Sequence, residues 1–237
     1  MIRPTPPSPR VGRLFRFATL MFAWLCVPGL ASAQTLSLAE TEDLVRNRYF
    51  EGMPEERAAR IGRAGADRLV VMLSDPEEAS SHAQILLALG LCGSPDARSA
   101  ILGWAASLER LASSGRVGAS RRLGVPRSIE VDRDAFKAWQ ALPYALGHTA
   151  KFDPRAVGDL ERWLRAPASD WTFRQFNGPR LRDLARRSAL TSLALTGLPE
   201  ARQVLDRAGR DASDTRFEAH LRDARALHTE RVRETMQ

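Results

Sequence analysis

Several residue types are scarce in this chain, and each shortage narrows what it can be. The 237 residues include two cysteines, two tyrosines and, among 35 basic side chains, only two lysines, Lys137 and Lys151. Cys26 and Cys92 cannot form the disulfide framework of a small secreted fold. No second long apolar run follows Val27, which excludes a multi-span membrane protein. No stretch alternates β-branched with polar residues for long enough to build a sheet. The compact catalytic motifs are missing beyond residue 33: there is no GxxxxGK, GxGxxG, GxSxG, HExxH or CxxC. The sequence therefore assigns no catalytic, cofactor-binding or metal-ligating residue, and no cofactor is expected.

Acidic residues are missing from residues 1–33, which carry Arg3, Arg10, Arg13 and Arg16. Their basic start leads into the apolar run Phe17–Val27 (FATLMFAWLCV), a Pro28-Gly29 break and the small-x-small triplet Ala31-Ser32-Ala33. This is the order a signal peptidase reads, and cleavage is expected after Ala33. The run is too short to span a bilayer, Leu25 stands where a lipoprotein signal has a small residue, and no Arg-Arg pair precedes the run. Sec-type export to the periplasm or beyond is the expectation. The formal charge of +7 belongs largely to this segment, because the rest carries 31 basic against 28 acidic side chains. So balanced a remainder argues against a nucleic-acid partner. Cys92, alone after cleavage and set in an apolar stretch, reads as a buried, inert thiol.

From Gln34 onward the apolar spacing is helical. Ser37 and Glu40 have the spacing of a capping box, and Pro54, Pro95, Pro154, Pro179 and Pro199 stand where a first-turn proline loses no hydrogen bond. Helices are expected near 38–50, 54–62, 66–74, 77–91, 95–112, 131–148, 154–165, 179–197, 199–208 and 213–234. Pro143 is expected to kink the sixth. Glycines are expected to stop helices at 62–65, 93, 115–124, 178 and 209.

Three segments repeat one pattern, an Ala/Leu-rich helix, a tight turn and a second apolar helix: 79–104, 135–164 and 185–205. Leu87-Ala88-Leu89, Tyr144-Ala145-Leu146 and Leu193-Ala194-Leu195 align, at a spacing longer than the roughly 40–47 residues of helical-pair repeats, so two segments are inserted. With Leu73-Ser74-Asp75-Pro76 before one repeat and Asp153-Pro154-Arg155-Ala156-Val157 inside the next, the chain resembles the HEAT-repeat family. The likeness is greatest to the short bacterial HEAT-like repeats also found in phycobilin lyases. The resemblance implies an all-α fold, a right-handed α-solenoid of stacked antiparallel helix pairs with two inserted loops. On this reading 1–33 is the cleaved signal, 34–64 caps the N-terminal end, 65–208 is the repeat domain and 209–237 caps the C-terminal end. Leu86, Leu89, Ile101, Trp104, Trp139, Leu146, Leu160, Trp163, Leu190, Leu193 and Leu205 would form the shared seam.

The insertions hold the candidate partner-binding residues. Residues 113–128 contain Arg116, Arg121, Arg122 and Arg127 with no acid, suited to carboxylate, phosphate or sulfate. Residues 167–179 set Trp171, Phe173 and Phe176 around Arg174, the residue types of interface hot spots. Either the aromatics meet a partner or they tuck back over a gap between repeats. In the first case, replacing Trp171 and Phe173 by Ala abolishes capture without unfolding. Insertions in a solenoid tend to emerge on one face, so the two segments could flank a single surface. His148 near Asp153 is read as a helix C-terminal residue or, alternatively, as part of a metal or base site. Asp159 with Arg162, Arg182 with Arg186, and His220 with Asp223 have ordinary helix-surface spacings.

The functional expectation is an exported binding or scaffold protein that holds another protein in the cell envelope without catalysis. The alternatives are a binder of an anionic envelope polymer or lipid head group through 113–128, and a lyase-like enzyme.

Overall fold

The computed structural model describes residues 34–47, 49, 52–113, 129–168, 171–210 and 214–236. The proposed export signal and Arg116, Arg121, Arg122 and Arg127 lie outside the described residues. Thr35–Gln237 groups as one compact unit. The fold is all-α. Its helices are α1 (Leu38–Arg46), α2 (Glu55–Ala58), α3 (Arg63–Leu73), α4 (His82–Leu91), α5 (Ala97–Ser113), α6 (Arg133–Thr149), α7 (Arg155–Arg165), α8 (Gly178–Thr196), α9 (Pro199–Arg210) and α10 (Thr215–Thr235). Among the described residues, no helix is long and apolar enough to cross a membrane.

The starts and stops have local causes. The Ser37 hydroxyl accepts from the Glu40 amide at 3.2 Å, while the Glu40 carboxylate accepts from the Ser37 amide at 2.8 Å, completing the capping box. Asp132 accepts from the amides of Asp134 and Ala135 ahead of α6, and Asn177 from that of Arg180 in α8. Gly197 ends α8 at φ +67°, a left-handed conformation that costs glycine little.

Five expectations need correction, the first being that Gly65 and Gly178, expected to stop helices, lie inside α3 and at the start of α8. The predicted helix 77–91 begins as a 3₁₀ turn, Pro76–Ser81, because Asp75 caps Glu77 and holds the first turn tight before α4 starts. Gly209 does not stop α9, which runs on to Arg210; a side chain at 209 would meet the guanidinium of Arg225. Asp159, read as a surface residue, is buried beneath a guanidinium described below. Finally, a two-residue parallel pair joins β1 (Ile129–Glu130) to β2 (Trp171–Thr172). A pair this short has no periodicity to detect. Pro143 is accommodated within α6, which continues to Thr149.

Packing follows a simple order. α4 lies against α6, α6 against α8 and α8 against α10, while α5 rests on α6, α7 on α6 and α8, and α9 on α8 and α10. Small residues permit these approaches. A Cβ on Gly90 would clash with the carbonyl oxygen of Ala145 and lie 3.0 Å from its Cα, so α4 and α6 are nearly in backbone contact. At Gly147 the corresponding distance is 3.1 Å to the Ser192 Cβ, on α8. Around these points Leu86, Leu89, Leu142, Leu146, Leu190 and Leu193 are fully buried, each contributing about 1.5–3 kcal/mol of transfer free energy. The predicted seam residues are buried except Trp104 and Trp163, which are partly covered. One continuous core runs from Leu36 to Ala224.

Candidate functional site

Within the second insertion, residues 171–176 form a small hairpin that buries Trp171 and Phe173 and exposes Arg174 and Gln175. The Phe173 amide donates to the Phe176 carbonyl at 3.0 Å, and the Phe176 amide returns to the Phe173 carbonyl at 2.8 Å, leaving Arg174 and Gln175 as a two-residue loop. Trp171 and Phe173 are 3% and 7% exposed. Phe173 stacks on Phe136 of α6 with ring centroids 4.0 Å apart, and Trp171 meets Trp139 edge-on at 5.1 Å. Phe176 is half-buried, 5.8 Å from Phe136. Of the two readings of this segment, the aromatics follow the second. They pack on α6, so Trp171 and Phe173 are not available to a partner, because burying their large apolar area against the helix outweighs exposing it.

This anchoring leaves Arg174, Gln175 and Arg180 exposed, with Asn177 and Pro179 beside them. Arg174 has φ +50°, the only non-glycine residue with positive φ among the described residues. Two-residue hairpin loops twist correctly only with positive φ, normally supplied by glycine, asparagine or aspartate. Arginine there costs roughly 1 kcal/mol. Its guanidinium carbon is 5.2 Å from the Phe173 ring centroid, and Arg180 donates to the Gln175 carbonyl at 3.5 Å.

Ile129 and Glu130, which follow the first insertion, pair with Trp171 and Thr172 of the second, and the Val131 amide donates to the Thr172 carbonyl at 2.9 Å.

His148 does not meet Asp153. It lies in the last turn of α6 and lines a small cleft of about 60 Å³ with Glu55, Tyr144, Lys151, Ser192 and Arg231. Burial pushes its imidazole below the ordinary histidine value, with Lys151 and Arg231 adding to the shift and Glu55 opposing it. Asp153 instead accepts from Arg155, which holds its carboxyl below the usual range. Asp159 receives the Nε of Arg98 at 2.6 Å and a terminal nitrogen of the same guanidinium at 3.1 Å, with Arg162 also paired to it. This bidentate contact ties α5 to α7 and is a brace. Cys92 is partly buried, its thiol donates to the Leu89 carbonyl at 3.3 Å, and burial raises its pKa. Among the described residues no group of three or more His, Cys, Asp or Glu side chains could hold a metal ion.

Sequence reasoning passed over one cleft, between α8 and the start of α10, where Arg186, Arg187, Arg216 and Phe217 converge. Arg186 had only a helix-surface spacing to identify it, and no sequence signal shows that α10 folds back onto α8. No family model matches the chain, and neither the curated proteins nor the solved structures include a match to it.

Proposed function

We propose that this protein is an exported, non-enzymatic binding module of the HEAT-like helical-repeat kind, which holds a partner protein in the cell envelope and uses the 173–176 hairpin tip as a recognition element. The ordered packing of α4, α6, α8 and α10 supports the repeat reading, because helix pairs that each bury a face on the next make a rigid, extendable surface. The observation that carries the binding reading is Arg174. A long cationic side chain occupies a backbone position suited to glycine, on a loop clamped by Phe173 and Trp171. Strain at a preorganised exposed tip is a mark of function, since a purely structural turn would place glycine there.

The test compares affinity capture from native envelope extract by the wild-type chain, Arg174→Gly and Arg174→Ala. Wild type is expected to retain one protein that both variants lose. Arg174→Gly is expected to keep or raise the melting temperature, by relief of the left-handed conformation. Capture of the same set by all three chains, or of no protein by wild type, overturns the reading. Trp171→Ala with Phe173→Ala serves as the contrasting control, expected to lose stability and helix content because both rings are core.

A further inference from the structure

α8 and α10 meet through a contact unlike those elsewhere in the core. The guanidinium carbon of Arg186, on α8, lies 4.0 Å from the ring centroid of Phe217, on α10, and the Arg186 Nε is buried with no hydrogen-bond partner among the described residues. Beside this contact opens a cleft of about 120 Å³, walled by Arg186, Phe217 and His220 and rimmed by the exposed Arg187 and Arg216.

Arginines elsewhere on the surface are commonly answered by acids. Arg46, Arg68, Arg165, Arg207 and Arg225 each have a carboxylate within 3.3 Å. Arg186, Arg187 and Arg216 have none within 4.0 Å among the described residues. The cleft does contain two carboxylates, but both are placed otherwise. Asp214 caps α10, accepting from the Arg216 amide at 2.9 Å, and Asp183 is exposed, 3.8 Å from Arg182. Among the described lining residues, with His220 counted as neutral, three arginines against two aspartates leave +1.

We propose that this cleft binds a single carboxylate carried by an acidic segment of a protein partner. The guanidinium fork matches a carboxylate in two parallel hydrogen bonds, and the Phe217 face holds the plane of Arg186, so little side-chain entropy is lost on binding. The site lies at the first turn of a 21-residue helix, whose dipole adds positive potential. Its volume suits an anionic end group and is well below that of a cofactor or drug-sized ligand. One negative charge neutralises the lining. A phosphate dianion would set its second charge beside Asp183 and Asp214, which disfavours it. This site is separate from the hairpin tip and stands whether or not Arg174 recognises a partner.

The test is calorimetric titration of the full-length chain with three probes: acetyl-triglutamate amide, acetyl-triglutamine with a free C-terminus, and inorganic phosphate. Triglutamate is expected to bind in a salt-sensitive way. Affinity should fall about tenfold or more in Arg187→Gln/Arg216→Gln and hold in Arg210→Gln/Arg222→Gln, which removes the same charge from exposed positions outside the cleft. All four positions are exposed, and circular dichroism checks that each variant stays folded. Binding of the free-ended triglutamine instead supports the site and names a chain terminus as the source of the carboxylate. Equal affinity in all three proteins, tighter binding of phosphate than of either peptide, or no binding of any probe at millimolar concentration overturns the proposal.

Discussion

Where α4 meets α6, Gly90 lies against the backbone of Ala145, with Leu86, Leu89, Leu142 and Leu146 fully buried nearby. Where α8 meets α10, a guanidinium covers an aromatic ring, and nearby His228 of α10 donates from Nε2 to the Leu198 carbonyl in the turn after α8 at 2.9 Å. Both contacts join one helix to the next in the same packing order, by different chemistry. An interior contact that brings backbones together leaves no room for a ligand and gains its free energy from dispersion and apolar burial. A terminal contact has solvent on one side, so long amphipathic side chains can cover it, and their charged ends stay wet. Clefts lined by unanswered charge follow from the second arrangement and are foreign to the first.

The contrast can be broken by substitutions of graded effect. The largest loss is expected for Leu193→Ala, about 2–5 kcal/mol by denaturant unfolding, since the side chain is fully buried on the face of α8 that meets its neighbours. A loss below about 0.5 kcal/mol would mean that the seam at α8 carries little of the stability. Next comes Gly90→Ala. The added methyl would strike the Ala145 backbone and cost about 1–3 kcal/mol, partly offset by alanine's better helix propensity. An unchanged melting temperature would show that α4 and α6 can part, and would remove the distinction from the α8–α10 contact. At the terminal contact, Arg186→Met keeps the stem and deletes the charge, and about 0.5–1 kcal/mol is expected from the lost cation–π interaction. A loss as large as that at Leu193 would make the terminal contact as demanding as the interior one.

The smallest effect at neutral pH is expected for His148→Gln, at the cleft shared by α2, α6, α8 and α10. Burial, with Lys151 and Arg231 adding to it, lowers the imidazole pKa in the folded state below its unfolded value of 6.5. The unfolded chain therefore takes up the proton first. Stability is full above 6.5 and is lost as the pH falls through the lowered folded value. Chemical denaturation at pH 8 should show wild type and His148→Gln nearly alike, whereas between pH 6.5 and 5 wild type should lose more. Parallel curves through that range would mean that the imidazole is not held neutral by the fold.

Much of the secondary structure was legible in the chain because its causes are local. The Ser37/Glu40 box, the first-turn prolines and the 3.6-residue spacing of leucines act within a few residues, and the helices begin and end close to where those signals stand. The 3₁₀ start before α4 and the β1–β2 pair were not legible. The first depends on how tightly Asp75 closes its turn, and the second on a partner some 40 residues away. At the candidate site, composition marked 167–179 as unusual. It could not say which side of each aromatic faces in, because a two-residue hairpin reverses direction within one turn.

By itself the sequence determined the all-α class, the order of the helices and most of the buried apolar residues, since these follow from periodicity, capping and the positions of small residues. Only the tertiary structure decided that Trp171 and Phe173 serve the core while Arg174 is presented, that Asp159 is buried under Arg98, and that Arg186 meets Phe217 beside two further arginines. The physical reason is the same in each case. The fate of these side chains depends on groups distant in sequence, and a cation's role is fixed by whether a carboxylate reaches it after folding.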